Sequence, residues 1–202
     1  CRQQGADLHW VAPLPDDWQL GLAGVMQRHN AAVARGALQA LAPLGWTVEE
    51  SAIRRGFAEA RWPGRLQTAH WRNHPLLLDG AHNPPAAAQL AMERRRWPRE
   101  EAGVCWVLAM QAHKQAPAML DHLLQPPDRA WIVPVPEHHS WTRSRLAEQC
   151  PQWRNQLLEA NSGEEALLEI QRLGPWPRPM PVVAGSLYLL GDLFARAVVT
   201  AE

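Results

Sequence analysis

The chain has 202 residues, 47% of them apolar and 20% charged, with twenty basic residues balanced by twenty acidic ones. That length supports one good core, or one domain with part of another, and the profile is that of a soluble globular protein rather than a disordered or fibrous one. Zero net charge and dispersed arginines leave no electrostatic footprint for nucleic acid; no run nears the roughly 18 apolar residues of a membrane span, and nothing at the start reads as a signal peptide. A cytoplasmic protein without nucleic-acid or membrane partners is the expectation.

In chain order, "GADLHWVAPLPDDWQLGLAG" offers only fragments of strand and two prolines. "NAAVARGALQAL" then predicts a helix stopped by Pro43 and Gly45. Thr47, with Glu50 three residues on, predicts a capping box for a second helix carrying Ile53 and Phe57. Two helices and a ragged edge are too little for an independent core. Residues 1–60 therefore read as the helical C-terminal tail of a truncated domain, and a start at Cys1 rather than Met points the same way. The break is expected near Pro63 and Gly64, leaving 61–202 as the second domain.

From residue 76 the pattern changes. "LLLDG" (76–80), "GVCWVLAM" (103–110), "AWIVPV" (130–135) and "PVVAGS" (181–186) are continuous apolar runs, as expected of strands buried on both faces. Between and after them lie "PAAAQLAMERRRW", "APAMLDHLLQ", "TRSRLAEQC", "EEALLEIQRL" and "SLYLLGDLFARAVV", each with helical apolar spacing. Alternation of this kind predicts an α/β fold, Rossmann-like, with a mostly parallel sheet and helices on both faces. Arg94, Arg95 and Arg96 read as a solvated helix face, Trp97, Trp106 and Trp131 as core or rim packing, and Cys1, Cys105 and Cys150 as reduced thiols.

Ligands of such sheets sit beyond the carboxyl ends of the strands. Residues 79–85 fall there. Asn83 and Pro84 suit a helix start without any function. Asp79 is harder to dismiss, because a carboxylate ending an apolar strand must find partners, either in His82 on the same turn or in local backbone N–H groups. Arg65, just after the Pro-Gly break, sits where a rigid loop can aim a guanidinium, the side chain best suited to bidentate phosphate contacts; as a lone arginine it reads equally as a surface ion-pair partner.

Four motifs in order then join up: "LGLAGVMQRHNAAVARGAL" (20–38), "RWPGRLQ" (61–67), "LDGAHNP" (78–84) and "AGSLYLLGD" (184–192). Together they resemble the C-terminal part of folylpolyglutamate synthase and dihydrofolate synthase, ATP-dependent amide ligases of the Mur ligase superfamily. The resemblance implies that Asn30 contacts the adenine side of ATP, Arg65 the phosphates and Asp79 the ribose, with His82 as a catalytic residue near the reacting centre. It implies that Ser186 and Lys114 lie on the glutamate side; His113 stands where the family carries an Asp beside that lysine. Implied partners are ATP, L-glutamate and dihydropteroate or folyl polyglutamate, with Mg²⁺ as cofactor, its ligands outside this chain, and a monomeric state.

No G-x-x-x-x-G-K-[ST] phosphate loop occurs, since Lys114 is the one lysine and no glycine precedes it closely. The 202-residue chain by itself is therefore expected not to catalyse ligation. Two other readings stay open. One is a non-catalytic module that binds nucleotide or protein; the other is a metal-dependent hydrolase built on "PEHHSW" (136–141), with His113, His122 and Glu137 beside His138 and His139 as ligands.

Overall fold

The computed structural model describes residues 5, 8–97 and 103–201, and the chain divides into two compact units, one ending at Pro63 and one beginning at Gly64. The first holds α1 (Met26–Ala40), a 3-10 turn (Ala42–Leu44) and α2 (Glu50–Glu59). Leu14, Trp18, Ala32 and Ile53 form its small core, with Leu20, Leu38 and Phe57 packed against them. The guanidinium of Arg54 lies 4.0 Å over the Trp18 ring. Trp10, Leu44 and Trp46 stay exposed.

Two local expectations change here. Helix α1 begins at Met26, so Asn30 is an interior residue whose amide donates to Gln27 Oε1 at 3.0 Å, and it caps nothing. Helix α2 begins at Glu50, with Glu49 in the cap position and no side-chain cap bond. Because residues 46–49 run without helical structure and Thr47 is exposed, the Thr47–Glu50 capping box does not form.

The second unit is one seven-stranded sheet in the order β5-β4-β3-β6-β2-β1-β7. Strands β2 (His74–Leu78), β3 (Cys105–Leu108), β4 (Arg129–Ile132), β5 (Leu157–Glu159) and β6 (Val182–Ala184) are mutually parallel. Strands β1 (Gln67–Trp71) and β7 (Thr200–Ala201) add an antiparallel edge. A two-residue hairpin joins β1 to β2 through Arg72 and Asn73, both at positive φ (47° and 66°), as a type I′ turn requires.

Alternate strand residues serve opposite layers. Trp106, Leu108, Ala130, Ile132, Val182 and Ala184 cluster with apolar side chains of α3 (Pro84–Arg94), α4 (Ala116–Leu123) and α5 (Arg143–Gln149). Val107, Trp131, Val133 and Val183 cluster with those of α6 (Gly163–Arg172) and α7 (Leu187–Ala195). Two apolar layers explain why the central strands read as unbroken hydrophobic runs. Cys105 and Cys150 are buried free thiols, and burial pushes Cys105 up to about 11.

The arginine run is not uniformly solvated. Arg95 and Arg96 are exposed, but Arg94 turns inward onto the fully buried carboxylate of Asp128, bidentate at 2.5 and 2.6 Å. Asp128 also accepts from the backbone N–H groups of Val104 and Gln125 and from the Trp106 indole. One carboxylate thus ties α3, the end of α4 and the start of β3 together. Truncating it strands a buried guanidinium and three N–H donors, so Asp128→Ala should lower unfolding free energy by about 3–5 kcal/mol. Glu164→Ala, which breaks the half-exposed Arg196 pair, should cost under about 1 kcal/mol. Urea midpoints of the two variants check the contrast.

Candidate active site

At the carboxyl end of β2 the ladder runs one residue past the strand, with Asp79 N–H donating to Val183 O at 3.0 Å. The Asp79 side chain then turns back and accepts twice, from Ala81 N–H at 2.9 Å and from Leu66 N–H at 3.0 Å. Gly80 N–H donates to Gly64 O at 2.7 Å. The turn at residues 63–66 is thereby fastened to the strand-to-helix loop. Leu66 is held at φ 44°, a left-handed backbone that a leucine adopts only under tertiary constraint. A Cβ on Gly64 would come within 2.5 Å of Leu190, and one on Gly80 within 2.4 Å of Leu187, so two bare backbones let the start of α7 close on this corner.

Asp79 and His82 do not bond to each other. His82 Nδ1 lies 2.8 Å from Gly80 O; a carbonyl only accepts, so this nitrogen carries the proton and the neutral ring keeps its lone pair on Nε2. Asn83 caps α3 by accepting from Ala86 N–H at 2.9 Å, and Pro84 takes the first helical position. Burial pushes the Asp79 carboxyl above its ordinary value, against the Leu66 and Ala81 N–H groups and, more weakly, the nearby Arg65 guanidinium. Among the described residues Arg65, half-buried, closes no ion pair and makes no hydrogen bond of its own. A guanidinium without a carboxylate partner beside a carboxylate held by backbone leaves positive charge available for an anion.

The strand order sets the remaining residues in a row. Ser186 follows β6, Lys114 lies in the loop after β3, and His138 lies in the loop after β4. Ser186 is buried, 3% exposed, and its hydroxyl accepts from Tyr188 N–H at 3.2 Å as the cap of α7. The carbonyl of Lys114 accepts from the Trp141 indole at 3.0 Å, while the ammonium has no partner among the described residues. Asn30 belongs to the first unit. Among the described residues no three His, Cys, Asp or Glu side chains come together as a metal site; the His138 ring is instead tied to Pro136 O and packed on Tyr188. That pairing, and the Asp79–Leu66 bond, join residues far apart in the chain, and no local pattern announces either.

The sequence pattern described as "Dihydrofolate synthetase, C-terminal domain" matches residues 64–196, about two thirds of the chain. The chain belongs to this family. It is 30% identical over 202 residues to the probable dihydrofolate synthetase of Schizosaccharomyces pombe, covering 92% of this chain and 47% of the relative. Against the dihydrofolate synthetase of Saccharomyces cerevisiae it is 29% identical over 196 residues, covering 87% and 44%. Escherichia coli FolC in complex with DHPP and ADP has a similar fold, with a TM-score of 0.66 and 26% identity over 83% of this chain and 38% of that one. The chain thus spans about half the length of the curated relatives it matches.

For this family member the Asp79 corner yields a two-part prediction. Asp79→Asn offers one acceptor oxygen where the carboxylate offers two, so either Leu66 or Ala81 N–H is orphaned, at a cost of about 1–3 kcal/mol. The pH dependence runs the other way. A folded-state pKa raised above 3.8 means stability that is present in acid and lost as pH rises through the folded value, whereas the amide does not titrate. Denaturant melts from about pH 3 to about pH 7 should show the wild-type advantage shrinking as pH rises; an advantage that grows would contradict the assignment.

Proposed function

We propose that this chain is the C-terminal portion of an ATP-dependent ligase that joins L-glutamate to dihydropteroate, to folyl polyglutamate, or to both, in folate biosynthesis. Family membership and the printed names of the relatives support the class of reaction. The ADP and DHPP bound by the E. coli neighbour support the substrates. The observation that carries the reading is the corner at which Asp79 fixes the turn of residues 63–66, with Arg65 in no ion pair among the described residues.

A carboxylate is a poor acyl donor. Transfer of the γ-phosphoryl group of ATP to the substrate carboxylate makes an acyl phosphate; the glutamate amine then attacks the carbonyl, and phosphate leaves with the bonding electrons of the C–O bond. Negative charge grows first on phosphoryl oxygens and then on a tetrahedral oxyanion, which preorganised cations stabilise. Arg65 supplies such a cation, and its aim is fixed by the Leu66 bond two atoms along the backbone. Asp79 meets the nucleotide at the ribose, and His82 offers Nε2 at the mouth of α3. Lys114 presents a compact ammonium on the acceptor side, with Ser186 capping the helix beside it. Exclusion of water at this corner protects the acyl phosphate from hydrolysis. Magnesium would neutralise phosphate charge during transfer.

Purified at its full encoded length, the protein should release phosphate only when ATP, glutamate and a pteroate or folate acceptor are all present. Arg65→Ala should lower kcat/KM for ATP by about a hundredfold or more, the range seen when a preorganised charge donor is removed, with the melting temperature unchanged. The 202-residue chain alone should release none. An inactive full-length protein, or full activity in Arg65→Ala, would sink the reading.

A further inference from the structure

The "PEHHSW" segment holds no metal cluster, yet its loop is held by several backbone and side-chain bonds. Glu137 stands at φ 60°. His138 N–H donates to Val135 O at 3.1 Å, and Val135 N–H donates to the Ser140 hydroxyl at 2.7 Å. The same segment is stitched to the loop after β3, through Ala112 N–H to His139 O at 2.8 Å and Trp141 N–H to Met110 O at 2.9 Å. A left-handed, non-glycine residue persists only where its surroundings over-determine it. What this arrangement presents is His138.

The His138 ring lies 4.0 Å from the Tyr188 ring, centroid to centroid and tilted by 38°. The partners come from different elements, His138 from the loop after β4 and Tyr188 from the first turn of α7 after β6. Strands β4 and β6 flank β3, so their ends are about 10 Å apart, and the two rings meet over the end of β3, whose loop carries Lys114. His138 Nδ1 lies 2.7 Å from Pro136 O. As at His82, the carbonyl forces the proton onto Nδ1 and leaves the neutral ring's lone pair on Nε2.

Exposure then discriminates between neighbours. Ser186, implied for the glutamate side, is 3% exposed and its oxygen is already an acceptor for Tyr188 N–H. Tyr188, the one tyrosine of the chain, is 55% exposed, and His138 is exposed as well. The groups that face outward at this corner are a hydroxyl donor and an imidazole acceptor, beside the ammonium of Lys114, which has no partner among the described residues.

We propose that His138 and Tyr188 form the contact site for the head group of the acceptor amino acid. Nε2 of His138 accepts from its α-amino group, and the Tyr188 hydroxyl donates to a carboxylate that Lys114 also attracts. Ser186 shapes the corner as a helix cap. This rests on the ligase reading above, and deepens it by naming which side chains select an α-amino acid.

The test is a kinetic split in the protein at full encoded length. His138→Gln and Tyr188→Phe should each raise KM for L-glutamate by about tenfold, the loss of one hydrogen bond to a charged group, and leave KM for ATP and the melting temperature unchanged. His139→Gln, one residue along in the same loop, should leave both KM values unchanged. Packing alone would move the melting temperature and not the glutamate KM. An active wild type whose His138→Gln and Tyr188→Phe variants keep the wild-type glutamate KM would overturn the inference and spare the ligase reading. A wild type without glutamate-dependent phosphate release removes the ligase reading, and the inference with it.

Discussion

Everything at the carboxyl edge of the sheet depends on how one buried carboxylate is satisfied. Asp79 sits where an apolar strand ends, and desolvation there opposes its ionisation. Two backbone N–H groups answer it, one of them from Leu66, thirteen residues earlier. The bond that solvates the carboxylate is therefore also the bond that fixes the preceding turn, and with it the guanidinium of Arg65. A carboxylate stabilised by backbone does not consume the neighbouring cation.

Asp128 shows the alternative solution within the same sheet. It is more deeply buried than Asp79 and takes a bidentate guanidinium as well as backbone and indole donors. Arg94 and Asp128 neutralise one another, and nothing is left over for a ligand. The two aspartates are both buried, and they differ in whether an arginine closes an ion pair with them. That difference separates a structural clasp near the start of β3 from a site that can receive an anion.

The parallel sheet supplies the rest of the geometry. Strands β2, β6, β3 and β4 lie side by side, so the loops carrying Asp79, Ser186, Lys114 and His138 stand in a row although more than a hundred residues separate the first from Ser186. Contacts that cross elements hold these loops: Gly80 bonds Gly64 in the turn before β1, Trp141 bonds Lys114 between the loops after β4 and β3, and the His138 ring meets that of Tyr188 at the start of α7. Such a row is stiff, which is what positioned charges need if they are to act on a reaction without first reorganising.

Four strands and the helices between them were legible in the sequence because burial on two faces leaves an unbroken apolar run, and nothing about distant partners is needed to see one. Asn83 and Pro84 were legible as a helix start for the same reason: capping is settled within three residues. Strands β1, β5 and β7 were not, since β1 alternates part-buried and buried residues instead of forming an apolar run, and β5 and β7, of three and two residues, are too short to carry a period. Arg94 looked like its two exposed neighbours until tertiary structure brought Asp128 to it, and Thr47 lost its capping role because the helix began two residues later than the motif allows. The sequence by itself determined the fold class, the family motifs and the residue types at the site. Which cation stays free, which hydroxyl is buried and which rings meet were decided only by tertiary structure, because burial and ion pairing are properties of the residues that arrive from elsewhere in the chain.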